Sequence, residues 1–253
     1  MPERSTLTFA LPKGRILEQA TPLLAAAGID VEAALEQAGR KLLFELPGDE
    51  RAGTATWRIL LVKPVDVPTY VEHGIADFGI AGLDTLREQG RDLYEPVDLG
   101  IGRCRLVVAE PQDQPEHLRG LRRGMSLRVA TKYPACAMFH YRSKGIQPVI
   151  IPLFGSVELG PVTGLADQIV DVVESGETLR QNKLVEVETV FEVSSRLIVN
   201  AASLRLKQPA VSQIITALRR AVEHAAGGTR QDFSTPRSAA ESSKPHAAQR
   251  ASS

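Results

Sequence analysis

The stretch DVVESGETL, Asp171 to Leu179, carries an apolar run directly into the polar turn Glu174-Ser175-Gly176-Glu177-Thr178. A short apolar run closed by turn residues reads as a buried strand. A Ser/Gly/Thr turn beyond the carboxyl end of such a strand is where open α/β sheets hold anions. Here no Walker lysine follows, and two acids lie inside the turn, so the motif carries a charge conflict. Hydroxyl and N–H groups of Ser175, Gly176 and Thr178 suit a phosphate. Asp167 and Asp171 precede the loop four residues apart, on one face of a strand by the period of two. That pair suits vicinal sugar hydroxyls or Mg²⁺, so a ligand bearing both phosphate and ribose would resolve the conflict. The plain alternative is an ordinary turn with Asp171 solvated and Gly176 chosen for positive φ, and a motif this short does not separate the two.

Working outward, the same strand-then-turn grammar recurs. LTFAL (Leu7 to Leu11) reads as a strand ending at Pro12-Lys13-Gly14-Arg15, and a helical pattern from Ile16 to Ala27 stops at Gly28. Strands are predicted at 57–62, 77–82, 104–110, 127–131 and 148–153, then at 184–193 and 195–200. Helices are predicted at 66–74, opened by Asp66 as N-cap, and at 83–90, 134–144 and 209–225. Alternating strands and helices imply a parallel-rich α/β architecture. The turns PKGR, AGLD, TKYP and ESGET all fall at carboxyl ends of strands, which predicts one shared crevice between two lobes. The chain is expected to cross near 100–105 and return near 188–194. That gives lobe I as residues 5–103 plus 190–225, on the nucleotide side, and lobe II as 104–189, carrying the loop. Residues 227–253, rich in Ser, Ala, Pro, Gly and Arg with Phe233 as the one aromatic, are expected to be a disordered tail.

Composition narrows the function classes. Of 253 residues, 30 are Lys or Arg and 30 are Asp or Glu, and this balance argues against nucleic-acid binding. Cys104 and Cys136 define neither a disulfide framework nor a metal spacing. No apolar run approaches the ~20 residues of a membrane span, and no signal-peptide core precedes the first strand, so a cytoplasmic protein is expected. The five histidines show no zinc or triad spacing. A reaction whose nucleophile already owns a lone pair needs no strong base.

The other turns add cations and donors. Lys13 and Arg15 flank Gly14 where a strand meets a helix, an anion site in prospect. Arg40 and Lys41 precede an apolar run and read, taken alone, as a solvated pair. Gly82 offers backbone N–H with Asp84 nearby as a helix cap. Lys132 lies past a strand end. Tyr133 beside it is equally a base-stacking ring and a core or rim tyrosine.

Together LPKGRILEQATPLLAAAGI, DVPTYVEHGIADFGIAGLDTL, GRCRLVVA, ATKYP, GSVELGPVTGLADQIVDVVESGETL and SSRLIVN resemble the ATP phosphoribosyltransferase family, in the family's order and over about residues 5 to 225. The resemblance implies two α/β lobes around a central cleft, like type II periplasmic binding proteins. It implies condensation of ATP with 5-phosphoribosyl 1-diphosphate (PRPP), adenine N1 attacking the anomeric carbon with inversion and pyrophosphate leaving with Mg²⁺. It places Ser175, Gly176, Thr178 and Leu179 on the 5-phosphate, and Glu158, Asp167 and Asp171 near ribose, with Asp171 or Glu158 near the metal. Arg15 and Arg40 become the catalytic cations facing the leaving diphosphate, Arg40 reaching a neighbouring subunit's site. Lys13, Arg15, Gly82, Asp84, Lys132 and Tyr133 fall on the ATP side. The pattern ends near residue 225 without the longer form's histidine-binding domain. This implies the short catalytic form, a homodimer assembling into a hetero-oligomer with a regulatory subunit resembling histidyl-tRNA synthetase. Two other readings stay open on the residues: a two-lobed protein that closes on an anion without chemistry, and phosphoribosyl transfer to another base.

Overall fold

The computed structural model describes residues 5–48, 54–113 and 126–228. The first segment holds β1 (Ser5–Pro12), α1 (Arg15–Ala26), α2 (Glu32–Ala38) and β2 (Leu43–Pro47). The second holds β3 (Thr54–Val62), α3 (Val67–Glu72), β4 (Phe78–Gly82), α4 (Leu83–Gln89), β5 (Tyr94–Asp98) and β6 (Cys104–Pro111). Then follow β7 (Arg128–Thr131), α5 (Pro134–Ser143), β8 (Val149–Pro152), α6 (Leu159–Val162), β9 (Gln168–Val173) and α7 (Glu177–Gln181). Last come β10 (Leu184–Val193), β11 (Ser195–Val199), α8 (Ala201–Leu206) and α9 (Gln208–Gly228). One sheet runs β2-β3-β1-β4-β11-β5 and the other β10-β6-β9-β7-β8. Both are mixed: β3, β1 and β4 pair parallel in the first, flanked by antiparallel β2, β11 and β5, and β9, β7 and β8 pair parallel at one side of the second, with β6 and β10 antiparallel at the other.

The period of two fixes each face of the first sheet. Leu7, Phe9 and Leu11 of β1 enter a core with α1 and α9, while Ala10 joins Val67 and Val71 of α3 on the opposite face. Phe9 and Phe78 stack at 5.5 Å between centroids. Gly79 is what lets α3 approach: a Cβ there would lie 2.6 Å from Val67 Cγ1. Buried Asp77 ties the far end of this sheet to the C-terminal helices. It accepts from Thr8 N (2.7 Å), Ser203 Oγ (2.5 Å) and Lys207 Nζ (2.9 Å). A buried carboxylate tolerates this position because its oxygens are met by several donors.

The two passages between sheets run side by side: Leu99 N donates to Ser195 O and Ser195 N to Ile101 O, both at 2.9 Å. Residues 190–193, expected in the first lobe, belong to the second sheet. The β10–β6 pairing continues to Val193↔Cys104, so the chain turns back only at Ser194. Elements without a sequence forecast are the short ones, α2, β2, β5 and α6 to α8. Asp66 precedes α3 as forecast, but its side chain makes no capping hydrogen bond. Residues 227 and 228 close α9 rather than opening a tail; the rest of the expected tail lies outside the described residues. Among the described residues no helix is long and apolar enough to cross a membrane.

Candidate active site

Of the four turns forecast to share a crevice, PKGR and ESGET meet across one cavity, and AGLD and TKYP meet at the Asp84–Tyr133 contact beside it. A cavity of about 340 Å³ is lined by Arg15 from the β1–α1 turn, Cys104 at the start of β6, Glu158 before α6, and residues 171–179. That volume lies within the usual range for small-ligand sites.

The loop after β9 is built to present polar groups. Gly176, at φ 75°, makes the left-handed turn that admits α7. Leu179 is buried in the second lobe's core and anchors the loop from beneath. The first N–H groups of a helix have no partner within it; Glu177 N turns back to Ser175 Oγ at 3.4 Å, while Thr178 and Leu179 line the cavity. Arg180 braces the loop, donating to Ser175 O (3.3 Å) and Glu177 Oε2 (2.6 Å). The loop's own acids are thereby answered by arginines. Glu177 is held by Arg180 and Gln181 on its own helix, and Glu174 by Arg15 from the opposite lobe.

Carboxylates gather above the loop. Burial pushes the Asp171 carboxyl up to about 6, with Glu158 and Asp84 adding repulsion, while Val172 N–H and Lys132 pull the other way. Asp171 Oδ1 accepts from Val172 N at 2.9 Å. Asp84 belongs to the first lobe and accepts from Tyr133 Oη of the second at 2.9 Å. Burial, followed by the charge of Asp84, raises the Tyr133 phenol far above its ordinary range, so it remains a donor. Gly82 makes room for this contact, since a Cβ there would fall 2.2 Å from Asp84 Oδ1. Nearby Glu88 accepts from Ala135 N and Cys136 N at 3.0 Å each, closing the α4–α5 seam between lobes. The Cys104 thiol is raised to about 11, by burial first, and stays un-ionised near neutral pH.

Of the forecast residues, Arg15, Glu158, Asp171, Ser175, Gly176, Thr178 and Leu179 line the cavity. Gly82, Asp84, Lys132 and Tyr133 adjoin it through the contacts just described. Lys13 and Arg40 are exposed and outside this lining, Arg40 on the loop before the edge strand β2. Asp167 is not beside the loop. It precedes β9 at the opposite end and takes Arg128 N (2.9 Å), Nε (3.2 Å) and Nη2 (2.9 Å). Four residues of strand separate it from Asp171 by about 13 Å, so sharing a face did not mean sharing a site. Tyr133 offers no free ring for a base: it is buried among Leu83, Leu106 and Val108. Asp84 serves that tyrosine rather than capping α4. Sequence reasoning missed Cys104 and the partner of Glu174. The only available signal for the latter was the unexplained acid within the motif.

Two α/β lobes, a Ser/Gly/Thr loop on one, Arg15 facing it from the other and carboxylates beside them make a cleft of the kind that takes an anionic small molecule. A family model described as HisG: ATP phosphoribosyltransferase matches residues 63–220. ATP phosphoribosyltransferase of Geobacter metallireducens is 48% identical over 221 residues, covering 85% of this chain and 98% of that protein. That of Burkholderia cenocepacia strain HI2424 is 49% identical over 219 residues, covering 86% and 97%. The chain belongs to the ATP phosphoribosyltransferase family. Such coverage leaves no room in those relatives for a further domain, as in the family's short form. Among solved structures, the ATP phosphoribosyl transferase (HisG:HisZ) complex from Thermotoga maritima matches at TM-score 0.70 and 35% identity, over 86% of this chain and 99% of that one. A periplasmic sulfonate-binding protein from Methylobacillus flagellatus shares the fold at TM-score 0.59 and 12% identity, over 90% and 71%.

Proposed function

We propose that this chain condenses ATP with PRPP to give N1-(5-phosphoribosyl)-ATP and pyrophosphate, the first step of histidine biosynthesis. The observation that carries the reading is the loop 174–178 lying across the cleft from Arg15 with Asp171 and Glu158 beside it.

Each group has a task. Ser175, Gly176 and Thr178, with the amide of Leu179, take the 5-phosphate at the opening of α7. Asp171 and Glu158 accept from the ribose hydroxyls, and Asp171 is mostly ionised above its titration near pH 6. Arg15 faces the diphosphate, and Arg40 reaches the same group in a neighbouring copy of the chain. Asp84, Lys132, Gly82 and Lys13 border the ATP side. Adenine N1 attacks the anomeric carbon with its own lone pair as the C–O bond to diphosphate breaks. No proton has to leave N1, and among the described residues no histidine lines the cavity. Cations placed where charge builds on the leaving group then lower the barrier, typically by about 3–4 kcal/mol per well-aimed donor.

The donor set fits a metal carried in by the substrate: among the described residues no group of three or more His, Cys, Asp or Glu can hold an ion unaided. Asp171 or Glu158 would add a carboxylate oxygen to Mg²⁺ on the diphosphate, and the ion would supply neutralising charge there. Pyrophosphate release from PRPP plus ATP, with and without Mg²⁺, tests the reading. Binding of both substrates without release would return the protein to the anion-binding class; release with a free base in place of ATP would redirect the acceptor.

The protein acts in the cytoplasm as a homodimer within a hetero-oligomer. The Thermotoga complex pairs HisG with HisZ, and here too the regulatory partner is a histidyl-tRNA-synthetase-like subunit. The isolated chain is then expected to ignore histidine up to millimolar concentrations, with inhibition appearing once the partner is added, through a coupling of about 1–3 kcal/mol. Inhibition of the chain alone would place a histidine site within it.

A further inference from the structure

We infer that Glu174 is an internal competitor for Arg15: its carboxylate pairs with the guanidinium that the incoming diphosphate takes, so the pair breaks when the anion arrives and re-forms when it leaves. The inference rests on the proposed function only for the identity of that anion.

Three observations carry it. Arg15 stands on the first lobe and Glu174 on the second, 159 residues apart in sequence, so their ion pair spans the cleft. Both line the same cavity. Their side chains retain 56% and 55% of their exposure, and ion pairs this exposed contribute little and exchange easily. The other acid of the loop behaves differently. Glu177 is committed to Arg180 and Gln181 on its own short helix, and Arg180 also braces Ser175 O, so the loop keeps its shape without Glu174. Contacts on the α4–α5 seam, Tyr133 to Asp84 and Glu88 to the amides of Ala135 and Cys136, hold the lobes together independently. Glu174 is thus free to move when a stronger anion displaces it. Once displaced, it stands beside the diphosphate as a like charge, which opposes long residence of the product and helps return Arg15 to its resting pair.

The test is a double-mutant cycle read by calorimetric binding of inorganic pyrophosphate at fixed Mg²⁺ to the full chain. Glu174→Gln is expected to tighten pyrophosphate about three- to tenfold and slow its dissociation correspondingly. Such tightening cannot come from structural damage, which would weaken binding. In an Arg15→Ala background the same change leaves only general relief of repulsion, about twofold or less. Glu174→Asp keeps the charge and is expected to bind pyrophosphate much as the parent does. Equal effects of Glu174→Gln with and without Arg15, weaker binding of pyrophosphate by Glu174→Gln, or tightening by Glu174→Asp as large as that by Glu174→Gln would each overturn the inference. Because the readout is anion binding, a parent chain that binds pyrophosphate but fails to turn over PRPP with ATP would sink the proposed function and leave the Glu174 result standing on its own.

Discussion

Asp171→Asn is expected to make the protein more stable at neutral pH while damaging its site. The Asp171 carboxyl titrates near pH 6 in the fold, against an ordinary value of 3.8, chiefly because it is buried. A raised carboxyl contributes its full share of stability below the unfolded value, where both states are protonated. Between about pH 4 and 6 the unfolded chain ionises and the folded chain resists, so that share is lost as pH rises. Two units correspond to about 3 kcal/mol; partial exposure and water screening reduce this to about 1–2 kcal/mol. Asparagine removes the ionisation and keeps the oxygen that accepts from Val172 N. For a chain of this size, 1–2 kcal/mol corresponds to a Tm gain of about 3–6 °C. Thermal melts of parent and variant, free of ligands, from pH 4 to 8 are the assay. The gain should be near zero at pH 4 and complete above pH 7, while PRPP binding falls. A difference that does not vary with pH, or a loss of stability at pH 8, would refute the argument that burial of a charge is what strains this position.

Three further outcomes follow from named contacts. Thr178→Ala should weaken PRPP by about tenfold or more and leave ATP nearly unchanged, since a hydrogen bond to a charged group contributes about 1.5–3 kcal/mol; separate titrations with each substrate check it. Gly79→Ala should cost about 1–3 kcal/mol, because its Cβ would press to 2.6 Å from Val67 Cγ1 and displace α3; chemical denaturation measures this. Tyr133→Phe deletes the Tyr133–Asp84 bond between lobes and should cost about 1 kcal/mol, with the two lobes melting less cooperatively by calorimetry.

How much of this was legible in the sequence depended on the range of the interaction. The strand before residue 174, the loop and its Gly176 turn are local, and apolar run, turn chemistry and backbone agree there. The shared crevice was also readable, because strand ends and turns recur in order. What escaped was set by distant partners or by position along an element. Asp167 and Asp171 share a face by periodicity, yet periodicity does not say which end of β9 each occupies, and Arg128 claimed the first. Whether Tyr133 faced solvent or core depended on how α5 packs against Asp84. The β5 strand was hidden because Pro96 argues against a strand, and Pro is admitted here at the edge of the sheet. The partner of Glu174 lies in the other lobe, which no local pattern reports.

The frame alone does not decide between holding an anion and transforming it, since the periplasmic sulfonate-binding protein shares the fold. The carboxylates favour the proposed reading. A site evolved only to retain an anion gains nothing from Asp171 beside the loop, with Glu158 and Asp84 close enough to raise its titration. Each of these charges repels an anion, and burial opposes the ionised form of Asp171. The arrangement makes physical sense when the ligand is a phosphate joined to a hydroxyl-bearing sugar and a metal-bound diphosphate. Arginine and loop amides then meet the negative ends, and the acids meet hydroxyls and cation in the middle. On the proposed reading, that alternation of donors and acceptors along one cavity is what a ligand of phosphate, ribose and metal-bound diphosphate calls for.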